Sequence, residues 1–279
     1  MADAQPIHPP PMVLAFAAAD PTSGAGIQAD ILTIAAMGCH PLTALTAVTV
    51  QDTTGVDAVF ALDAEWVADQ ARAVLEDMPV AAFKIGLLGS VENIAAIAEV
   101  VSDYPDVPLI LDPVLASGRG DELASEDMIS ALLDMLVPQT TVLTPNSLEA
   151  RRLASDEANE DDQPSLDECA ARLIAMGCEY VLITGTHEPG PEVVNTLYGE
   201  SGVLGRERWP RLPGSYHGSG CTLASAIAAA VAQGADILSA VRDAQEFTWE
   251  SLKHGFRPGM GQYLPDRLFW ARERDEGED

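Results

Sequence analysis

Short apolar runs alternate with helix-patterned segments almost without a break from residue 12 to residue 184, and this alternation constrains the fold more than any other feature of the 279-residue chain. The runs 12–19, 42–50, 81–88, 109–111, 141–143 and 180–184 have the length and aliphatic content of buried strands. Between them, 27–37, 65–76, 91–101, 126–137, 148–153 and 166–176 carry helical spacing. Strands separated by helices cannot pair as hairpins. They return in parallel, with the helices covering both faces of the sheet. The expected fold is therefore α/β, a mainly parallel central sheet between two helical layers. The pattern changes over 193–209, where two strands flank Gly199-Glu200-Ser201-Gly202 as a hairpin. Helices are expected over 223–233 and 237–253, and a last short one near 266–272. One domain spans 12–272, after a flexible segment at 1–11 and before a disordered acidic tail at 273–279. The stretch 155–162, with five acidic residues among eight, reads as a solvated loop.

Ligands bind open α/β sheets beyond the carboxyl ends of the strands. The polar clusters all follow strands: 20–26, Gln51-Asp52, 86–89, 112–120, 146–149 and Thr184 to His187. They converge on one edge of the sheet.

The stretch His217-Gly218-Ser219-Gly220-Cys221-Thr222 joins a loop to an Ala-rich helix. Glycines let backbone N–H groups approach an anion closely, and the first N–H groups of a helix have no internal partner. The helix dipole adds positive potential there, so the stretch outlines a phosphate site. Cys221 is expected at its rim, with a thiol pKa lowered by the helix N-terminus and able to accept a proton near neutral pH. A plain loop with a buried, inert cysteine would have the same local sequence.

Charge excludes some partners. The net charge is −28, from 15 basic and 43 acidic residues, and the only lysines are Lys84 and Lys253. Nucleic acid and anionic membranes both need a basic surface. Such an acid excess resembles proteins of a salt-rich cytoplasm, where screening removes self-repulsion. Cys39, Cys169, Cys178 and Cys221 are scattered without metal-ligand spacing. This implies a reducing, cytoplasmic setting with no disulfide framework and no zinc. No signal peptide and no membrane span are read.

Ala19-Asp20-Pro21-Thr22-Ser23-Gly24-Ala25-Gly26-Ile27-Gln28-Ala29-Asp30 resembles the opening motif of the bacterial hydroxymethylpyrimidine/phosphomethylpyrimidine kinases, members of the ribokinase-like superfamily. The resemblance continues in order through Gln51-Asp52-Thr53, Lys84-Ile85-Gly86-Leu87-Leu88, Leu111-Asp112-Pro113-Val114, Thr144-Pro145-Asn146 with Glu149, and 217–226. It covers roughly 13–264. Sugar kinases of the superfamily normally carry Asp where Cys221 stands, so the cysteine points to the pyrimidine branch.

The resemblance implies a three-layer ribokinase-like fold, a homodimer, and phosphorylation by ATP and Mg2+ of 4-amino-5-hydroxymethyl-2-methylpyrimidine and then its monophosphate, for thiamine synthesis. It implies pyrimidine contacts from Ala25, Asp30 and Gln51, whose amide offers a donor and an acceptor together, with Leu87 and Val114 on the ring faces. Gly218, Ser219 and Gly220 would form the anion hole, with Cys221 taking the hydroxyl proton or stabilising the transferring group. Asn146 and Glu149 look like the superfamily's pair that positions phosphate and Mg2+, Glu149 through water. Thr184, His187 and Arg119 are placed on the nucleotide side.

Each residue has a plainer role available. Asn146 and Glu149 form a capping box in sequence. Lys84 suits an internal carboxylate, and His217 a loop hydrogen bond. Two other functions stay open: a pyridoxal or pyridoxine kinase, and a pyrimidine-binding protein without catalysis.

Overall fold

The computed structural model describes residues 9–117, 120–155 and 164–272. Arg119, the tail at 273–279, and all but Ser155 of the acidic stretch 155–162 lie outside them, as does most of the segment 1–11.

β1 (Met12–Ala19) is wholly apolar and lies third from one edge of a nine-stranded sheet. It pairs in parallel with β2 (His40–Gln51) on one side and with β4 (Val80–Ile85) on the other. Parallel pairing continues from β4 to β5 (Leu109–Leu111), β6 (Val142–Leu143) and β7 (Tyr180–Ile183). Three antiparallel strands finish the edges: β3 (Val56–Ala61) beside β2, and the hairpin β8 (Glu192–Gly199) and β9 (Gly202–Pro210) beside β7. The sequence pattern did not mark β3, because only one face of this edge strand meets the protein and its alternation is weak.

Odd positions of β1 (Val13, Ala15, Ala17) face α1 (Gly26–Ala36), α7 (Ser219–Ala232) and α8 (Ile237–Lys253) in one core. Even positions (Leu14, Phe16) enter a second core under α2 (Ala64–Leu75), α3 (Val91–Ser102), α4 (Glu126–Ala131), α5 (Ser147–Ala154) and α6 (Leu166–Ala175). The period-2 alternation of a strand between two helical layers produces this division. The helix expected over 126–137 breaks up: α4 passes into a π-turn at Leu132–Leu136 and a 3-10 turn at Val137–Gln139, where Pro138 cannot supply an N–H. The short C-terminal helix is a 3-10 turn, Phe269–Ala271.

Strand order reverses between β1 and β4, which opens a crevice at their carboxyl ends. α7 packs against β1, β4 and β5 under that crevice. Its inner face is built from Ala224, Ala226, Ala228 and Ala229, all fully buried. Such small side chains let the helix lie close to the sheet, so its N-terminus reaches the crevice.

Candidate active site

α7 starts at Ser219, four residues before the expected Leu223, because Gly218 is its N-cap in the left-handed conformation (φ 86°). A Cβ at Gly218 would fall 1.8 Å from the carbonyl oxygen of Gly24. Only glycine lets the two loops meet this closely. The N–H groups of Ser219, Gly220 and Cys221 thus open the helix without intrahelical acceptors. α1 begins opposite, at Gly26, whose N–H faces the Cys221 sulfur. Two helix N-termini converge on one thiol.

Asp20 shapes the loop between β1 and α1. Its carboxylate accepts hydrogen bonds from the N–H groups of Thr22 (2.8 Å) and Ala25 (2.7 Å) and from the Thr22 hydroxyl (2.9 Å). It shares a fourth, of 2.8 Å, with Nε2 of His217. Burial works against the carboxylate, but the bonds from His217, Ala25 and Thr22 outweigh it and hold its pKa below the usual range. Asp20 and His217 tie the acceptor-side loop to the loop that leads into α7. The sequence reading assigned neither a site role.

Leu87 and Val114 are half-buried and line one small apolar cavity with Gly86. Val114 takes a left-handed φ of 37°, unusual for a β-branched residue and a sign of a backbone held by its surroundings. Ala25 caps α1 and Gln51 ends β2, half-buried on the same edge. Asp30 is different. It is fully buried, 2.8 Å from Lys84 Nζ, and accepts from the Ser225 hydroxyl at 2.7 Å. It has no surface for a ring, which corrects the expected pyrimidine contact.

Asn146 and Glu149 form a capping box that starts α5. The Glu149 carboxylate accepts from the N–H groups of Asn146 (2.9 Å) and Leu115 (3.2 Å), joining α5 to the loop after β5. Thr184 bridges to Asn146, and its carbonyl accepts from the Ser147 N–H. His187 is exposed in the following loop. Arg211 fastens that loop by donating to the carbonyls of Thr186, Glu188 and Gly190.

Residues 20–266 match the family model of phosphomethylpyrimidine kinase. The chain belongs to the phosphomethylpyrimidine kinase family. A hydroxymethylpyrimidine/phosphomethylpyrimidine kinase of Streptomyces coelicolor is 39% identical over 256 residues, covering 90% of this chain and 92% of that one. A phosphomethylpyrimidine kinase structure from Clostridium difficile superposes with a TM-score of 0.73 at 32% identity, over 87% of this chain and 99% of that one. A pyridoxal kinase from Staphylococcus aureus, solved in complex with pyridoxal, superposes with a TM-score of 0.84 at 26% identity, over 95% of this chain and 96% of that one. The fold is therefore common to kinases named for two kinds of ring.

The electrostatic centre of this kinase is buried. Lys84 on β4 faces Asp30, Asp112 and Cys221. Burial alone would lower its pKa, but those three groups raise it, so Lys84 is a cation. For Asp112, burial raises the pKa to about 6 despite Lys84. Glu149 is raised to about 7 by burial and then by Asp112. Cys221 is pushed up to about 12 by burial, which exceeds the attraction of Lys84. That overturns the expected low thiol pKa. The helix N-terminus is real, but the sulfur lies among carboxylates in a desolvated pocket, and at neutral pH it is a thiol hydrogen-bonded to Asp112. Of the two groups in contact, Asp112 and not Cys221 has the proton affinity nearer neutrality. The Leu-Asp-Pro-Val motif was the only sequence signal for it. Among the described residues no cluster of three or more His, Cys, Asp or Glu is placed to hold a metal ion, and no helix is long and apolar enough to cross a membrane.

Proposed function

We propose that this kinase transfers the γ-phosphoryl group of ATP to the hydroxymethyl oxygen of 4-amino-5-hydroxymethyl-2-methylpyrimidine, and then to the resulting monophosphate, as a step of thiamine biosynthesis. The observation that carries the reading is the meeting of the α1 and α7 N-termini at Cys221, with Asp112 beside them, in a chain of this family.

Phosphoryl transfer needs positioning and neutralisation of charge on the moving group. The N–H groups of Ser219, Gly220 and Cys221 supply donors at a fixed place, and Gly220 keeps the approach open. A Cβ there would meet an Asp112 oxygen at 3.4 Å. Ala25 and Gln51 orient the aminopyrimidine by hydrogen bonds, and Leu87 and Val114 enclose its faces. The proton follows a relay. The substrate hydroxyl gives its proton to the Cys221 sulfur as the Cys221 thiol proton passes to the Asp112 carboxylate. Thr184, His187 and Asn146 face the nucleotide.

Glu149 is a buried carboxylate whose proton affinity is raised by burial and then by Asp112. Such a carboxylate suits Mg2+, which takes one or two carboxylates and keeps its waters. When bound, Mg2+ neutralises charge on the phosphates; Glu149 would hold it through water. A homodimer fits the exposed apolar face of the β2–β3 edge, where Val48 and Val50 lie beside Phe60, 62% exposed. A cytoplasmic location accords with four free cysteines.

The test is a coupled ATPase assay with hydroxymethylpyrimidine, in Mg2+ and high salt, with products resolved by mass. Monophosphate followed by diphosphate is expected. Turnover with pyridoxal and none with the pyrimidine would overturn the substrate. Pyrimidine binding with no ATP turnover would make the protein a binder.

A further inference from the structure

The segment 255–267 straps the two halves of the site together. Gly261 and Gln262 donate to Thr53, two residues past Gln51. Tyr263 donates to the Ser215 carbonyl and accepts from the His217 N–H. At its end the side chain of Arg267 enters the protein, and the residue is only 3% exposed. Nε donates to the Thr222 hydroxyl at 3.0 Å, and Nη1 to the Ser23 carbonyl at 3.4 Å. Nη2 donates to the carbonyls of Gly24 (2.6 Å) and Gly218 (3.5 Å).

Every acceptor is neutral, and among the described residues Arg267 forms no ion pair. Lys84, the other buried cation of the site, has Asp30. A buried charge with no carboxylate in contact is costly, and the attraction of Asp30 and Asp20 at longer range offsets that burial only in part. The position adds to the cost: Gly218 is the N-cap of α7 and Gly24 immediately precedes the α1 cap, so the guanidinium lies beside two positive dipole ends. A protein stabilising only itself would place a carboxylate here. Burial draws the Arg267 pKa down to about 10, against Cys221, Asp30 and Asp20, which leaves it charged at neutral pH. An anion arriving from outside the chain would supply the close counter-charge that the contacts of Arg267 lack.

We propose that Arg267 is a positioning residue that supplies the buried positive charge of the phosphate cradle, favouring anionic ligands through the Gly218 and Gly24 peptides without touching them. It rests on the phosphate role given above to the α7 N-terminus. It also explains how a chain of net charge −28 with two lysines attracts a polyphosphate.

The experiment is titration calorimetry on the full chain with three ligands separately: ADP, hydroxymethylpyrimidine and its monophosphate. Arg267→Gln is expected to weaken ADP and the monophosphate by about tenfold or more, as loss of a unit charge in a poorly screened site implies. The neutral pyrimidine should stay within about twofold. Equal weakening of all three ligands, or no change in any, would overturn the proposal and leave Arg267 a clamp. Arg267→Lys keeps the charge on a group that burial can titrate. Its ADP affinity is expected near wild type at low pH and to fall relative to wild type as pH rises, the titration of Asp112 and Glu149 being common to both proteins and cancelling in the ratio. A pH-independent loss in the Lys variant refutes the proposal even if the Gln variant does not fold. Wild-type binding of ADP with no pyrimidine turnover would instead sink the substrate assignment and leave the Arg267 comparison intact.

Discussion

Asp112→Asn should make the protein more stable at alkaline pH while removing its activity. The Asp112 carboxyl rises from 3.8 in the unfolded chain to about 6 in the folded one, with burial as the cause and Lys84 opposing it. A carboxyl with a raised folded pKa favours folding while protonated. Its contribution is complete below 3.8 and is lost as pH climbs through about 6. Each pKa unit corresponds to about 1.4 kcal/mol, so ionised Asp112 costs the fold about 3 kcal/mol at pH 8. The lost attraction to Lys84 is already inside that figure. Asn has the same shape, stays neutral, and still accepts from the Cys221 thiol. Urea unfolding of wild type and variant between about pH 4 and pH 8 checks the reasoning. The variant should gain about 1–3 kcal/mol at the alkaline end, with the gap closing toward the acid end. Turnover should fall by at least about a hundredfold, as expected when a proton acceptor is removed. A variant that is less stable than wild type at pH 8, or a gap that does not vary with pH, would show that Asp112 is stabilised by its surroundings rather than strained by them.

Cys221→Ala should lower kcat by about a hundredfold and change pyrimidine affinity far less, because the thiol acts in the proton relay; steady-state kinetics with calorimetry separates the two. Lys84→Met strands the buried Asp30 carboxylate and should cost about 3–5 kcal/mol in chemical denaturation; an unchanged midpoint would mean the Lys84–Asp30 pair does not hold the fold together. Gly218→Ala forces a Cβ onto the Gly24 carbonyl at positive φ. It should lose more than about 2 kcal/mol of stability and most ADP affinity, read by thermal melts with and without ADP.

Much of this protein was legible in its sequence. The spacing of apolar runs marked eight of the nine strands, and the glycines at 218 and 220 marked the turn into α7. These are local signals, since period and backbone freedom are written residue by residue. The acid–base state of the site was not legible. A thiol at a helix N-terminus reads as acidic, yet Cys221 is pushed the other way by Asp112 and by burial, contributed by strands far away in the chain. Asp30, in a motif suited to a ligand, is instead partner to Lys84, 54 positions further along the chain. Arg267 had no role in the sequence reading beyond falling in the short helix expected near 266–272. The sequence by itself determined the layers, the strand edge where the polar loops gather, and the family. Only the tertiary structure decided which of those polar groups are exposed to a ligand and which are spent on one another. Desolvation and Coulomb energies depend on distances through space, and a linear order of residues does not contain those distances.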